Sequence, residues 1–125
     1  MEKKILMPGK MPVAGPYSAA VEACGLIFIS GQLPVDPQTG EIIMDIRAAT
    51  HQVLTNLQTL LEENGLSLKN IIKTTLFLKH ISDFAAVNEI YAGFFPAEPP
   101  ARSTVEVSAL PKNAPLEIEA VALRK

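Results

Sequence analysis

Two stretches with helical spacing are separated by one of strict alternation, and this interleaving narrows the possible folds most. From about Ile46 to Glu63, apolar Ile46, Ala49, Val53, Leu57, Leu60 and Leu61 recur three and four apart, drawing one stripe along a helix. Asp45 stands where an N-cap belongs, and Asn64-Gly65 supplies the stop. A second helix, capped by Ser82-Asp83, carries Phe84, Val87, Tyr91 and Phe94 or Phe95 and ends at Pro96. Between them Ile71–Lys79 alternates as a strand, with Ile72, Thr74, Leu76 and Leu78 on one face and Lys73, Thr75, Phe77 and Lys79 on the other.

Strand signals flank this unit on both sides. Ile5–Met7 reads as a short strand, followed by a loop rich in proline and glycine through Gly15-Pro16-Tyr17. Ser18–Glu22 and Leu26–Ser30 form a hairpin about Ala23-Cys24-Gly25, and Asp36-Pro37-Gln38-Thr39-Gly40 is a turn. After Pro99-Pro100, strands follow at Ala101–Ser108 and Leu116–Leu123. The order β-β-β-α-β-α-β-β predicts an α+β two-layer sandwich, a mixed sheet of about six strands with two helices on one face. The last strand is apolar on both stripes: Leu116, Ile118, Ala120 and Ala122 on one, Val121 and Leu123 beside Glu117 and Glu119 on the other. The sheet face away from the helices is therefore expected to pack on another copy of the chain.

At 125 residues the chain is expected to be one domain spanning 1–125. Its 48% apolar content allows a real core. A net charge of −2 with no basic run argues against nucleic acid or an anionic membrane as partner. Cys24 is the only cysteine, so neither an intrachain disulfide nor a cysteine-based zinc cluster can form. The N-terminus has too short an apolar stretch for a signal peptide, and no run approaches a membrane span, so a cytoplasmic location is expected. His51 and His80 are too few for a histidine-rich metal site, the glycines form no phosphate loop, and no metal site is expected.

Four polar positions stand out. Arg102 alternates with Thr104 and Glu106, and Glu117 and Glu119 share a stripe with Val121 and Leu123. Asn88 falls on the apolar side of the second helix, and Tyr17 sits in a Gly-Pro loop that can aim a phenol at a cleft. Taken singly, each suits an ion pair, a satisfied amide or a packing aromatic. If the last two strands form a hairpin with Val107 opposite Leu116, Arg102 lies opposite Val121, about 13 Å along the strand from Glu117. Two long side chains so spaced would address opposite ends of a small bound molecule.

Together these segments resemble one family. Gly15-Pro16-Tyr17-Ser18, the run Ser30-Gly31-Gln32-Leu33-Pro34-Val35-Asp36-Pro37-Gln38-Thr39-Gly40, Asp83–Tyr91, Pro100–Val107, Leu110-Pro111-Lys112 and Leu116–Ala120 resemble the RidA (YjgF-type) enamine/imine deaminases, in order and over almost the whole chain. The resemblance implies a chorismate-mutase-like fold and a homotrimer with clefts between subunits. It implies hydrolysis of 2-iminobutanoate and 2-iminopropanoate to 2-oxo acids and ammonia, without a cofactor. Those imines arise from enamines released by pyridoxal-phosphate-dependent threonine and serine dehydratases. The family's site maps onto Tyr17, Ser30, Gly31, Asn88, Arg102, Thr104 and Glu117. Arg102, Glu117 and Tyr17 would carry the chemistry, and Ser30, Gly31, Asn88 and Thr104 would join Arg102 in holding substrate. Many members have cysteine at the position of Thr104, which contributes there chiefly through its backbone. Two other classes attach to the family: a regulatory module binding 2-oxo acids, and a ribonuclease or translation inhibitor, against which the near-neutral charge argues.

Overall fold

The computed structural model describes residues 2–9, 13 and 15–125; parts of the expected loop before Tyr17, at 10–12 and 14, lie outside them. The strands are β1 (Lys4–Ile5), β2 (Ala20–Ala23), β3 (Leu26–Gln32), β4 (Ile71–Leu78), β5 (Ala101–Glu106) and β6 (Leu116–Leu123). The helices are α1 (Ile46–Glu63) and α2 (Phe84–Phe94). The six strands make one mixed sheet in the order β1-β2-β3-β6-β4-β5, and both helices cover the same face. None of the described helices is long and apolar enough to cross a membrane.

The core lies between α1 and the sheet. Val53, Leu54, Leu57 and Leu61 meet Ile27, Leu76, Leu78, Leu116 and Ile118, all fully buried. Each such leucine contributes about 1.5–3 kcal/mol, so the stripe outweighs the cap, where the Asp45 carboxylate accepts from the Ala48 N–H for about 1 kcal/mol. Gly65, at φ +76°, takes the left-handed turn that ends α1.

Three sequence expectations need correction. β5 does not form a hairpin with β6: it lies at the sheet edge, parallel to β4, with Arg102 beside Thr74 and Thr104 beside Leu76. The cause is α2, a helical crossover between β4 and β5 that returns the chain in the same direction. Ile72 is not on the buried stripe of β4. A register irregularity between Ile71 and Lys73 seats Ile71 in the core and leaves Ile72 exposed. Nor does Asp83 cap α2 through its side chain; a short 3₁₀ turn, Ile81–Asp83, leads into the helix instead.

Candidate functional site

In a sheet, residues paired across strands share a face. The β4–β5 register therefore turns Arg102 and Thr104 toward the helix layer, with Thr74 and Leu76. There α2 presents Phe84, Asn88 and Tyr91, spaced four and three apart and so on one side of the helix. The Asn88 side-chain oxygen accepts a hydrogen bond from Arg102 Nη2. The guanidinium carbon sits 4.8 Å from the centre of the Tyr91 ring and 5.4 Å from that of Phe84. Among the described residues, no carboxylate pairs with Arg102; the ion pairs there are Arg47–Glu89 and Arg124–Glu22. A half-buried, permanent cation whose countercharge the chain does not supply is suited to an anion from outside. Two strand positions on, the Thr104 hydroxyl oxygen is buried and has no hydrogen-bond partner among the described residues.

Glu117 belongs to the opposite face. It pairs with Phe77, whose side of the sheet also carries Val105, Val121, Phe28 and Leu123. Its neighbour across the layer is Gly31, in a stretch where β3 slips register against β6 between Ile29 and Gln32. A Cβ built on Gly31 would lie 1.7 Å from Glu117 Oε2 and 2.6 Å from Cδ, so the carboxyl occupies the space that glycine leaves open. Burial, and secondarily the negative charge of Glu119, pushes the Glu117 carboxyl above the ordinary carboxylate range. Ser30 is held by its hydroxyl, which donates to the Ser18 carbonyl at 2.6 Å. Tyr17 is 54% exposed and lines a cavity of about 110 Å³ with Gly31, Gln32, Asn56 and Lys112.

The seven sequence candidates thus fall into two groups. Arg102, Asn88 and Thr104 lie on or beneath the helix-facing side of β5. Ser30, Gly31 and Glu117 gather around the β3–β6 seam, with Tyr17 beside Gly31. Within one chain, Arg102 and Glu117 cannot reach one small molecule, because β4 separates their strands and they project from opposite faces. Phe84 and Tyr91 were expected only as core-stripe residues; in fact Phe84 is 42% exposed and both rings flank Arg102. Their spacing from Asn88 was visible in the sequence, but the arginine between them depends on β5 running alongside α2.

The molecule is thus a two-layer α+β protein with an arginine that, among the described residues, has no carboxylate partner on one sheet face and a carboxyl of raised pKa on the other. Comparison with known proteins narrows it. The family model described as Endoribonuclease L-PSP matches residues 8–124. A RutC family protein of Pyrococcus horikoshii is 51% identical over 112 residues, 89% of each chain. The Escherichia coli 2-iminobutanoate/2-iminopropanoate deaminase is 44% identical over 128 residues, covering all of both chains. The crystal structure of E. coli TdcF with bound serine superposes with a TM-score of 0.91 at 43% identity, over 98% of this chain and 99% of that one. The chain belongs to the RidA family.

Proposed function

We propose that this protein hydrolyses 2-iminobutanoate and 2-iminopropanoate to the 2-oxo acids and ammonia, in clefts where Arg102 of one subunit faces Glu117 of its neighbour. One observation carries the shared cleft: the anion-binding cation and the carboxyl with the raised pKa lie on opposite faces of the same sheet. A second copy is needed to bring them together. The outer face offers the apolar surface for that copy, with Phe28 50% exposed and Val105 43%. A closed ring of three copies, which the resemblance to the family implies, would repeat this cleft three times.

The chemistry follows from the groups. Arg102 offers its forked N–H pairs to the substrate carboxylate, a planar match that lysine cannot reproduce. Glu117, as carboxylate, takes a proton from water while the water oxygen bonds to the C=N carbon and the electron pair moves to nitrogen. That proton passes to nitrogen to give the neutral carbinolamine; Glu117 then carries the hydroxyl proton to the amine, the C–N bond breaks with its pair going to nitrogen, and ammonia leaves as the oxygen's freed pair forms the C=O. Gly31 lets backbone and ligand approach closely, Ser30, Tyr17 and the Thr104 backbone complete the polar contacts, and Asn88 fixes Arg102. Imines hydrolyse unaided, so positioning with acid–base help of about 10²–10⁴-fold suffices.

Gly31→Ala tests the seam directly. The added methyl and the present Glu117 carboxyl cannot coexist, and a flexible glutamate yields before a strand does. The variant is expected to fold with a melting temperature within a few degrees of the parent, yet to lose turnover about as fully as Glu117→Gln, roughly 10²-fold or more. Retained activity would remove this contact from the site.

The function itself is read by generating 2-iminobutanoate with a threonine dehydratase and following 2-oxobutanoate. Added protein should speed its appearance in proportion to the amount supplied; the same rate with and without it overturns the proposal. A solved relative carries bound serine, another small molecule with a carboxylate, and this favours a 2-oxo-acid-binding module as the second reading. Saturable 2-oxobutanoate binding without turnover would select it. The name of the family model raises ribonuclease chemistry, but a net charge of −2 without a basic run gives RNA little electrostatic purchase.

A further inference from the structure

We propose that Phe84 and Tyr91 are positioning residues: an aromatic clamp that holds the Arg102 guanidinium in the plane needed to grip a carboxylate, with the Thr74 hydroxyl pinning Tyr91. This rests on the reading of Arg102 as the carboxylate-binding group. The clamp is built from one side of α2. Phe84 and Tyr91 lie seven residues apart, two helical turns, and Asn88 sits between them with its side-chain oxygen on Nη2. Both ring centres are within the range, about 6 Å, at which a ring's negative face attracts a guanidinium.

Asn88 accepts from one edge of the fork, and among the described residues no acid competes for the rest. The cation is thus held by π faces and one neutral amide, neither of which cancels its charge. A carboxylate partner would hold it as firmly but would occupy the donors that an incoming acid needs.

Tyr91 is itself fixed. It is 6% exposed, its hydroxyl shares a 2.7 Å hydrogen bond with that of Thr74, and its ring rests on Phe95 with centres 4.7 Å apart. Thr74 is the β4 residue directly beside Arg102, so one short path links the strand pair, the tyrosine and the guanidinium. Burial raises the Tyr91 phenol above its ordinary range, against the opposing pull of Thr74 and of the Arg102 charge, so the ring stays neutral. Threonine on the strand and tyrosine on the helix hold each other where a leucine pair would leave the ring free to slide.

The test is a double-mutant cycle read by binding of 2-oxobutanoate, the product acid, to the intact oligomer. Tyr91→Leu and Phe84→Leu are each expected to weaken that binding about 3- to 30-fold, and to raise KM by more than they lower kcat. Tyr91→Phe, which keeps the ring but releases Thr74, should fall between the parent and Tyr91→Leu; parent-like affinity would remove the Thr74 pin from the clamp. In an Arg102→Ala background, neither leucine substitution should change the affinity further, because the clamp acts only through the arginine. A merely structural role would give the same loss in both backgrounds, and that result overturns the clamp, as does unchanged affinity in the single variants. Where Tyr91→Leu fails to fold, the exposed Phe84→Leu carries the cycle alone. If Arg102→Ala itself leaves affinity intact, the carboxylate reading falls and the clamp with it. If Arg102→Ala weakens binding while Phe84→Leu and Tyr91→Leu do not, only the clamp falls.

Discussion

Arg102→Ala is expected to lower kcat/KM for 2-iminobutanoate by about 10²–10⁴-fold while leaving the oligomer folded. The size follows from the bonds lost: two charge-assisted hydrogen bonds to a carboxylate, each about 1.5–3 kcal/mol, at about 1.4 kcal/mol per tenfold in rate. The fold should tolerate the change, because β5 is an edge strand and Arg102 is only half-buried. Among the described residues it takes part in no ion pair, so its removal strands no carboxylate there. Among the described residues, Asn88 alone loses a hydrogen-bond partner, and its amide is near enough to the surface to find water. Arg102→Lys should restore part of the charge attraction but not the fork, and so recover less than half of the lost binding energy. Steady-state kinetics, with circular dichroism and mass measurement as folding controls, decide the matter. Near-parent activity in Arg102→Ala would show that the substrate's acid end is held elsewhere.

Glu117→Gln is expected to cost about 10²–10⁴-fold in kcat with little change in KM, the signature of a group that moves a proton rather than holds the ground state. The pH dependence follows from the direction of its shift. Burial and Glu119 both favour the protonated form, so the folded-state pKa lies above the ordinary carboxylate value. The active form is the carboxylate, so activity should be full above that raised pKa and fall as the pH drops through it. This acidic limb should lie at higher pH than for an exposed glutamate. Glu119→Gln removes one cause of the shift and should move the limb toward lower pH while leaving the plateau rate nearly intact. A limb that stays in place would mean that another group sets it.

The same two variants test the shared cleft. Arg102→Ala and Glu117→Gln subunits, unfolded together in equal amounts and refolded, should regain activity that neither has alone. In random mixing, about one cleft in four takes its arginine from one kind of subunit and its carboxylate from the other, restoring about a quarter of the parent activity. A site contained in one chain would recover nothing.

Much of this molecule was legible in its amino-acid order. The apolar stripe from Ile46 to Leu61, the cap at Asp45 and the stop at Asn64-Gly65 place α1 where the structure has it, because helix periodicity and capping are local properties. The alternation in Leu116–Leu123 likewise identifies β6 and its buried face. Alternation alone puts Ile72 on the buried stripe, but a bulge is a contest between neighbouring registers, and only the partner strand decides it. The same holds more strongly for Arg102. A terminal hairpin with β6 and a parallel return beside β4 are both compatible with the strand's own residues.

The order of residues alone located the helices and strands, showed apolar residues on both stripes of the last strand, and singled out the polar side chains that interrupt the apolar pattern. Tertiary structure decided where those side chains point. The crossover through α2 set Arg102 against Phe84, Asn88 and Tyr91, while the slipped pairing of β3 with β6 placed Glu117 over Gly31 on the far side of the sheet. Periodicity is written into a chain within a few residues. Which strand becomes whose neighbour is settled only when distant surfaces compete to leave water, and that competition involves the whole sheet.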